Sequence, residues 1–296
     1  HAPDDGRSVT DYVRLAVSTL RESAADYDLV HANYGLTAPA ALAQVRLPVV
    51  LSLWGSDLHG RFGLASRTFA RACDEVIVMT PGMAARLDRE CHIIPHGVDL
   101  AVFRPVDRET ARETVGWPTD GYHVLFPYDA AREGKNYPLA EDVVAAVDDR
   151  LDDSVDLRTV DGVAHEEMVN YLNAADALLL TSDREGSPNV VKEALACNVP
   201  VVATDVGDVA DRLAGVSPSA TCRSRESLAD ALASVLRTER RSNGRPSVAE
   251  LGVERTAKRI ERVYRTAVGD DARPAEEPPA TVDSSPADAA SRSDSD

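Results

Sequence analysis

Short runs of apolar residues alternate with longer amphipathic segments along most of the chain. Eight of these runs predict buried β-strands, at residues 28–32, 48–54, 75–79, 92–95, 123–128, 155–160, 176–181 and 200–204. Helical patterns between them predict helices at 61–73, 81–91, 136–150, 165–175, 188–197 and 248–267. Continuous apolar strands separated by helices are typical of a parallel sheet that is covered on both faces. The pattern therefore predicts an α/β protein with doubly wound sheets.

A polar stretch punctuated by Pro and Gly, residues 96–121, separates the first four predicted strands from the second four. This predicts an N-terminal domain over 1–97 and a C-terminal domain over 98–268, which ends in the helix near 248–267. The first series lacks an opening βα unit, so we expect an incomplete first domain and a chain that is truncated at its N-terminus. From Gly269 the composition turns to Ala, Pro, Ser and Asp, which predicts a disordered acidic tail over 269–296.

The formal net charge of −17 argues against a nucleic-acid partner, because an acidic surface repels phosphates. Only three of the 32 basic residues are Lys. The charge fits any acidic protein, but the scarcity of Lys favours a salt-loving organism, where a Debye length of about 3 Å at 1 M salt screens self-repulsion. No run of about 18 apolar residues predicts a membrane span. We expect a cytoplasmic protein.

The cysteines are far apart in the sequence, at Cys73, Cys91, Cys197 and Cys222. Their spacing argues against a zinc cluster and against a disulfide framework. We therefore expect buried thiols in a reducing compartment, and neither a metal nor another cofactor.

One segment combines two glutamates with a predicted strand–loop–helix–strand unit: "DREGSPNVVKEALACNVPVVATDVGDV", residues 183–209. Ser187 is predicted as the helix N-cap and Pro188 as the first helical residue, and Asn198 is expected to end the helix in the left-handed conformation. Helix N-termini point beyond the carboxyl ends of parallel strands, where ligands bind. The N–H groups of residues 189–191 would therefore suit a phosphate.

The glutamates of this segment, Glu185 and Glu193, are candidates for sugar recognition. Glu193 lies on the second helical turn, and its side chain leans toward the N-terminus, where it could accept hydrogen bonds from a ribose diol. Glu185 precedes the helix and could hold a second sugar. Alternatively, Glu185 interacts with the helix dipole and Glu193 lies on a solvated face. A glycosidase would need two carboxyls facing each other across the scissile bond, which these positions do not suggest.

Several segments resemble the retaining glycosyltransferases of family 4. The first three are "DLVHANYG" (28–35), "PVVLSLWGSDL" (48–58) and "IPHGVDLAVFRP" (94–105), and residues 184–209 resemble the E-x7-E region of that family. The resemblance implies the GT-B fold, in which two Rossmann-like domains face each other across a cleft. The stretch "EGSPNVVKEA" especially resembles members that build cell-surface polysaccharides of the teichuronic-acid type.

The resemblance also implies roles for the residues of this region. Glu193 would bind the nucleotide ribose and Glu185 the hydroxyls of the donor sugar. Gly207 would line the nucleotide site, although a plain turn explains it as well. Four further residues would contact the sugar and the phosphates: Ser187, Pro188, Asn189 and Val190.

The segment "DAAREGKNY", residues 129–137, resembles the loop in which an Arg and a Lys bind the diphosphate. Lys135 matches the family pattern, whereas Arg132 stands three residues before the Lys, where the family usually has Arg five before. Position 130 is Ala. Fixed cations that face a leaving nucleoside diphosphate lower the barrier without a metal. The alternative is that both are surface charges.

In the first domain, Trp54 stands where the family often has His, and it could stack on a sugar or on the acceptor. Gly55 fits a close approach of the backbone. Asp57 could position the acceptor or cap a turn. His31, at the end of a predicted strand, could be functional or a hydrogen-bonded core histidine.

The implied activity is transfer of a hexosyl unit from a UDP- or GDP-sugar to a glycan or lipid-linked acceptor, with retention of anomeric configuration. Peripheral association with the inner face of the membrane stays open. The alternatives are a non-catalytic nucleotide-sugar-binding subunit, an inactive truncated remnant, and a GT-B epimerase.

Overall fold

The computed structural model describes residues 9–59 and 62–270. Within them, two sheets form from parallel strands. The first sheet has the order β1-β2-β3-β4 and the second the order β6-β5-β7-β8-β9. The strands are β1 (Val30–Ala32), β2 (Val49–Ser52), β3 (Glu75–Val78), β4 (His92–Ile93), β5 (Tyr122–Phe126), β6 (Val155–Thr159), β7 (Ala177–Leu180), β8 (Val201–Thr204) and β9 (Ala220–Cys222).

Helices cover the sheets and connect the strands. They are α1 (Val9–Glu22), α2 (Ala38–Ala41), α3 (Gly55–His59), α4 (Gly63–Ala70), α5 (Pro81–Ala84), α6 (Arg108–Val115), α7 (Tyr137–Asp148), α8 (Met168–Ala174), α9 (Asn189–Ala196), α10 (Val209–Leu213), α11 (Arg225–Thr238) and α12 (Val253–Val268). Short 3-10 helices occupy Gly35–Thr37, His165–Glu167 and Arg245–Leu251. The predicted tail lies outside the described residues, except for its first two.

All eight predicted strands are confirmed, with ends that differ by one or two residues. The helix predicted over 81–91 is wrong in length, because α5 ends at Ala84. Arg89 explains the early end, since its guanidinium donates to the carbonyl of Ala70 at 2.7 Å and to that of Asp74 at 2.7 Å, which holds residue 89 against the end of α4 and the loop after it. The sequence pattern did not predict β9 or the helices α1, α2, α3, α6, α10 and α11.

The strand β7 shows why continuous apolar runs predicted a sheet covered on both faces. All four of its side chains are fully buried. Ala177 and Leu179 pack into the cluster under α7 and α11, whereas Leu178 and Leu180 pack into the cluster that contains α9. Burying each such Leu contributes about 1.5–3 kcal/mol to stability. The alternation places one core on each face of the second sheet.

The strand order of the second sheet reverses next to β5. From β5 the chain moves to β6 on one side and then to β7 on the other, so the loops that follow β5 and β7 leave the sheet as neighbours. In open α/β sheets, ligands bind in the crevice at such a switch point, outside the carboxyl ends of the strands. The fold therefore selects the loops 127–136 and 181–188 for a site.

The last helix, α12, lies differently from its predicted place in the second domain. It packs against β2 and β3, and Val263 is buried in the core of the first sheet together with Ile260 and Tyr264. The chain reaches it through a parallel bridge between Val98 and Gly252. The chain thus crosses between the two sheets twice, at neighbouring points.

Candidate active site

The loop after β5 is tied to the end of β7 by hydrogen bonds. The hydroxyl of Thr181 donates to the carbonyl oxygens of Lys135 at 2.9 Å and of Asn136 at 3.0 Å. Asn136 adopts the left-handed conformation, with φ 54°, which turns the chain into α7, and its amide donates to Asp183 at 2.9 Å. These bonds fix the backbone of Lys135 beside the loop that carries Glu185.

Lys135 and Glu185 form an ion pair across the switch point. Both are largely buried, with side-chain exposures of 11% and 15%. The ammonium of Lys135 also lies 3.9 Å from the centre of the Tyr128 ring, a cation–π contact. Burial lowers the pKa of Lys135, and the carboxylate of Glu185 opposes that shift. The site therefore holds a desolvated ammonium group, that of Lys135, paired with Glu185, the residue expected to bind the donor sugar.

Tyr128 lies among the predicted site residues. Burial raises the pKa of its phenol far above the usual range, with Glu185 and Glu193 adding to the shift and Arg132 opposing it. The guanidinium of Arg132 lies 5.7 Å from the ring centre, and its side chain is exposed. Lys135 and Arg132 thus share one aromatic ring, and Lys135 holds Glu185 beside it, while Glu193 acts on Tyr128 through its charge.

Glu193 is buried on the second turn of α9, with 6% of its surface exposed, so it does not lie on a solvated face. Its carboxylate is 2.9 Å from Nε2 of His165, an exposed residue of the turn that follows β6. Burial raises the pKa of Glu193, and the bond and charge of His165 oppose that shift. A buried acceptor with an exposed partner can exchange that partner for ligand hydroxyls.

The start of α9 differs from the prediction. Pro188 is the N-cap and the helix begins at Asn189, so Ser187 is not the cap. Its hydroxyl donates instead to Asp208 at 2.8 Å, and Asp208 also accepts from Arg212 at 3.0 Å. The competing carboxylate explains the shift of one residue. Pro188 and Val190 are buried and Asn189 is exposed at the helix N-terminus, and Asn198 takes the predicted left-handed conformation with φ 56°.

Three glycines allow the loop after β7 to pass between the two domains. A Cβ on Gly55, in the first domain, would lie 2.8 Å from Cα of Gly186. On the other side, a Cβ on Gly207 would lie 2.3 Å from the carbonyl oxygen of Gly186. Gly207 has φ 60° and is followed by Asp208, whose N–H donates to that same oxygen at 3.1 Å. The predicted close approach at Gly55 is therefore an interdomain contact.

We expect Gly207→Ala to destabilise the protein and to disturb this loop. The methyl group would be strained at φ 60° and would overlap the Gly186 carbonyl. Gly162→Ala is the matched control, because Gly162 has φ 68° and open space around its Cβ position. In thermal unfolding, Gly207→Ala should lower the free energy of unfolding by about 1–3 kcal/mol more than Gly162→Ala does. Equal losses would mean that the loop moves aside freely.

The first-domain candidates lie at the start of α3. Asp57 is buried, and its Oδ2 accepts from the backbone N–H of Trp54 at 2.7 Å, while its Oδ1 has no hydrogen-bond partner among the described residues. Burial raises the pKa of Asp57 to about 6. Asp57 therefore caps the turn. The indole of Trp54 donates to the carbonyl of Asn33 at 3.0 Å, and its ring lies 4.2 Å from that of His96.

His31 matches the alternative of a hydrogen-bonded core histidine. Its Nδ1 lies 2.7 Å from the hydroxyl of Tyr264 on α12, and its Nε2 lies 2.8 Å from that of Ser52 on β2. Burial lowers its pKa, which favours the neutral ring. His31 thus connects the two strands with the crossing helix.

The sequence analysis had missed three residues of the site: Tyr128, His165 and Asp208. Tyr128 ends the apolar run at 123–128 and Asp208 follows Gly207, so the sequence itself places both beside the site loops. His165 has no such signal.

Metal-binding clusters of three or more His, Cys, Asp or Glu side chains are absent from the described part of the chain. His92 and His96 are four residues apart, but His92 pairs with Glu75 at 2.7 Å whereas His96 faces Trp54. All four cysteines are free, and three are buried. Among residues 9–59 and 62–270, no helix is long and apolar enough to cross a membrane.

Two family models match the chain in separate regions. Residues 2–102 match the model of Glycosyltransferase Family 4, and residues 134–238 match that of Glycosyl transferases group 1. The second region contains Lys135, the loop 181–188 and the whole of α9, whereas Tyr128 and Arg132 lie before its first residue. The first contains Trp54, Gly55 and the linker up to Val102.

Two curated relatives align with more than half of this chain. TuaC of Bacillus subtilis, assigned to teichuronic acid biosynthesis as a glycosyltransferase, is 30% identical over 216 residues, which cover 62% of this chain and 54% of TuaC. D-inositol 3-phosphate glycosyltransferase 1 of Catenulispora acidiphila is 28% identical over 248 residues, which cover 65% of this chain and 59% of that protein. The chain thus spans little more than half the length of these relatives.

Solved structures share the fold at low identity. Sucrose-phosphate synthase from Thermosynechococcus elongatus superposes with a TM-score of 0.73 at 20% identity, covering 87% of this chain and 78% of that one. Anabaena HepE in complex with UDP superposes with a TM-score of 0.67 at 16% identity, covering 85% and 82%. The chain therefore has the GT-B fold, and two of its regions are similar to Glycosyltransferase Family 4 and to Glycosyl transferases group 1.

Proposed function

We propose that this protein transfers a hexosyl unit from a nucleoside diphosphate sugar to a glycan or lipid-linked acceptor, with retention of anomeric configuration. The observation that carries the proposal is the Lys135–Glu185 ion pair at the switch point, next to the buried Glu193. HepE, which shares the fold, has been solved with UDP and with UDP-glucose, and this supports a nucleotide-sugar donor.

The residues divide into groups for the nucleotide, the diphosphate and the sugar. Glu193 faces the ribose hydroxyls, which replace His165 as its partner. Lys135 and Arg132 face the diphosphate, and Glu185 accepts from hydroxyls of the transferred sugar. When the donor enters, Lys135 exchanges part of its contact with Glu185 for a phosphate oxygen. The same buried ammonium therefore pairs with Glu185 in the free protein and with the diphosphate in the complex.

The chemical step breaks the bond between the anomeric carbon and the β-phosphate oxygen and forms one to the acceptor oxygen. The leaving oxygen gains negative charge, which Lys135 and Arg132 stabilise as fixed cations. For retention, the acceptor hydroxyl approaches from the face that the nucleotide leaves, and its proton passes to the departing phosphate. No metal is needed in this scheme, because the two cations occupy its electrostatic role.

The similarity to TuaC supports a cell-surface polysaccharide as the acceptor class. The acceptor would approach the first-domain wall, where Trp54 presents an aromatic ring beside the Gly55–Gly186 contact. Action at the inner face of the membrane stays a prediction.

A transfer assay tests the proposal. The natural polypeptide, including any residues that precede His1 in its gene, is incubated with UDP- and GDP-hexoses and oligosaccharide acceptors, with EDTA, across a KCl series. We expect transfer that withstands EDTA and rises with salt, because salt screens the net charge of −17. NMR of the product should show the donor's anomeric configuration. Inversion, or abolition by EDTA, would refute the mechanism, and binding without transfer would favour a non-catalytic subunit.

A further inference from the structure

Lys192 is a fully buried lysine that the proposed chemistry does not use. It lies on α9 directly before Glu193, and none of its surface is exposed. Its ammonium is 3.2 Å from the backbone carbonyl oxygen of His96, in the linker between the domains. A lysine can bury its methylene stem without penalty, but its charged end needs a polar partner. The linker carbonyl is that partner.

The linker around His96 is held closely on its other side as well. The N–H of Val98 donates to the carbonyl of Leu251 at 2.8 Å, and the N–H of Val253 donates to the carbonyl of Val98 at 3.1 Å. A Cβ on Gly97 would lie 2.9 Å from Cα of Val253. The backbone of residues 97 and 98 is therefore fixed by α12, and Lys192 fixes residue 96 from α9.

The side chain of His96 connects this fixed part of the linker to the first domain. Its ring lies 4.2 Å from that of Trp54, tilted by 50°. Burial and the charge of Lys192 lower the pKa of His96 to about 4, so the ring is neutral near pH 7. Trp54 precedes Gly55, which contacts the loop that leads back into α9.

We infer that Lys192 is a positioning residue: by holding the His96 carbonyl, it sets where the Trp54 ring stands in the wall of the cleft that faces the acceptor. The assignment of that wall to the acceptor rests on the proposed function, whereas the link from Lys192 to Trp54 does not. Asp208 supports the charged state, because its carboxylate counteracts the burial that lowers the pKa of Lys192 to about 8. Asp208 also holds Ser187 and Arg212, so one buried carboxylate serves both the loop and the lysine.

Tryptophan fluorescence tests the link without any ligand. The chain has two tryptophans, so Trp117→Phe leaves Trp54 as the only tryptophan, and excitation at the red edge of the absorption band avoids the tyrosines. In that background, Lys192→Met keeps the length of the side chain and removes its charge. We expect red-shifted Trp54 emission and stronger acrylamide quenching. Lys258→Met, the same change on the exposed face of α12, should leave both unchanged.

Kinetics test the consequence for the acceptor. Loss of one charge-assisted hydrogen bond corresponds to about a tenfold change. We expect Lys192→Met to raise the acceptor KM by about that factor while the donor KM changes little. His96→Ala keeps the backbone carbonyl but removes the stacked ring. It should therefore show the same change in Trp54 fluorescence and in the acceptor KM as Lys192→Met.

Unchanged Trp54 emission in a folded Lys192→Met protein would overturn the inference. If that variant loses its cooperative thermal transition, Lys192→Gln and His96→Ala carry the same test. If the unmodified protein binds neither UDP nor GDP in calorimetry, the proposed function is wrong. The fluorescence experiment then still shows whether Lys192 controls the position of Trp54, because it uses no ligand.

Discussion

Replacing Glu193 with Ala should weaken the binding of UDP or GDP by about a hundredfold or more. In the proposed site the carboxylate accepts two hydrogen bonds from the ribose, and charge-assisted bonds contribute about 1.5–3 kcal/mol each. Burial of Glu193 makes the effect large, because water cannot replace the lost acceptor. Isothermal titration calorimetry with both nucleotides measures it.

The control for Glu193→Ala is Glu166→Ala, which removes the same charge from an exposed position beside His165. It should leave nucleotide affinity within about twofold, since exposed charges interact weakly through water. A thermal transition near that of the unmodified protein would show that α9 still folds. If Glu193→Ala binds the nucleotide as tightly as the unmodified protein, its carboxylate does not contact the ribose.

For Lys135→Met, we expect transfer to fall by about 10²–10³, the loss typical of removing one preorganised electrostatic contact to a transition state. Affinity for UDP or GDP should also fall, but affinity for uridine or guanosine should not. This difference arises because the ammonium faces the diphosphate in the proposed complex. Competition calorimetry measures the affinities for the nucleoside and for the nucleotide separately. If both affinities fall by the same factor, Lys135 does not contact the diphosphate.

Lys135→Met also leaves Glu185 without its ion-pair partner in a largely buried place. Removing one partner of a buried pair costs about 3–5 kcal/mol of stability. The double variant Lys135→Met/Glu185→Gln removes both charges and should recover part of that stability without recovering transfer. Lys258→Met controls for the charge change alone.

The sequence predicts most of the fold because both faces of the strands are buried. Apolar runs such as residues 176–181 carry that signal in themselves, since a side chain on either face must avoid water. The sequence also places Lys135 and Glu185 at the same edge of the sheet, because each follows a strand of the same parallel sheet. It does not give the order of the strands, and that order alone makes the two loops neighbours.

What the sequence could not show depends on partners that are distant along the chain. His165 and Glu193 are 28 residues apart, and Lys192 and His96 are 96 apart. No local pattern distinguishes such a lysine from one on a solvated face. The misplaced cap has the same origin: Ser187 fits the local rule for an N-cap, but Asp208, 21 residues later, takes its hydroxyl. Likewise, nothing in the amphipathic pattern of α12 specifies which core it joins.

The two chain crossings, at Val98 and at Gly252, lie side by side and are hydrogen-bonded to each other. Because the two crossings are bonded to each other, a substitution that displaces either one would displace the other as well. The carbonyl that Lys192 holds lies only two residues before Val98, so a change as distant along the chain as Gly252 would reach the contact between His96 and Trp54.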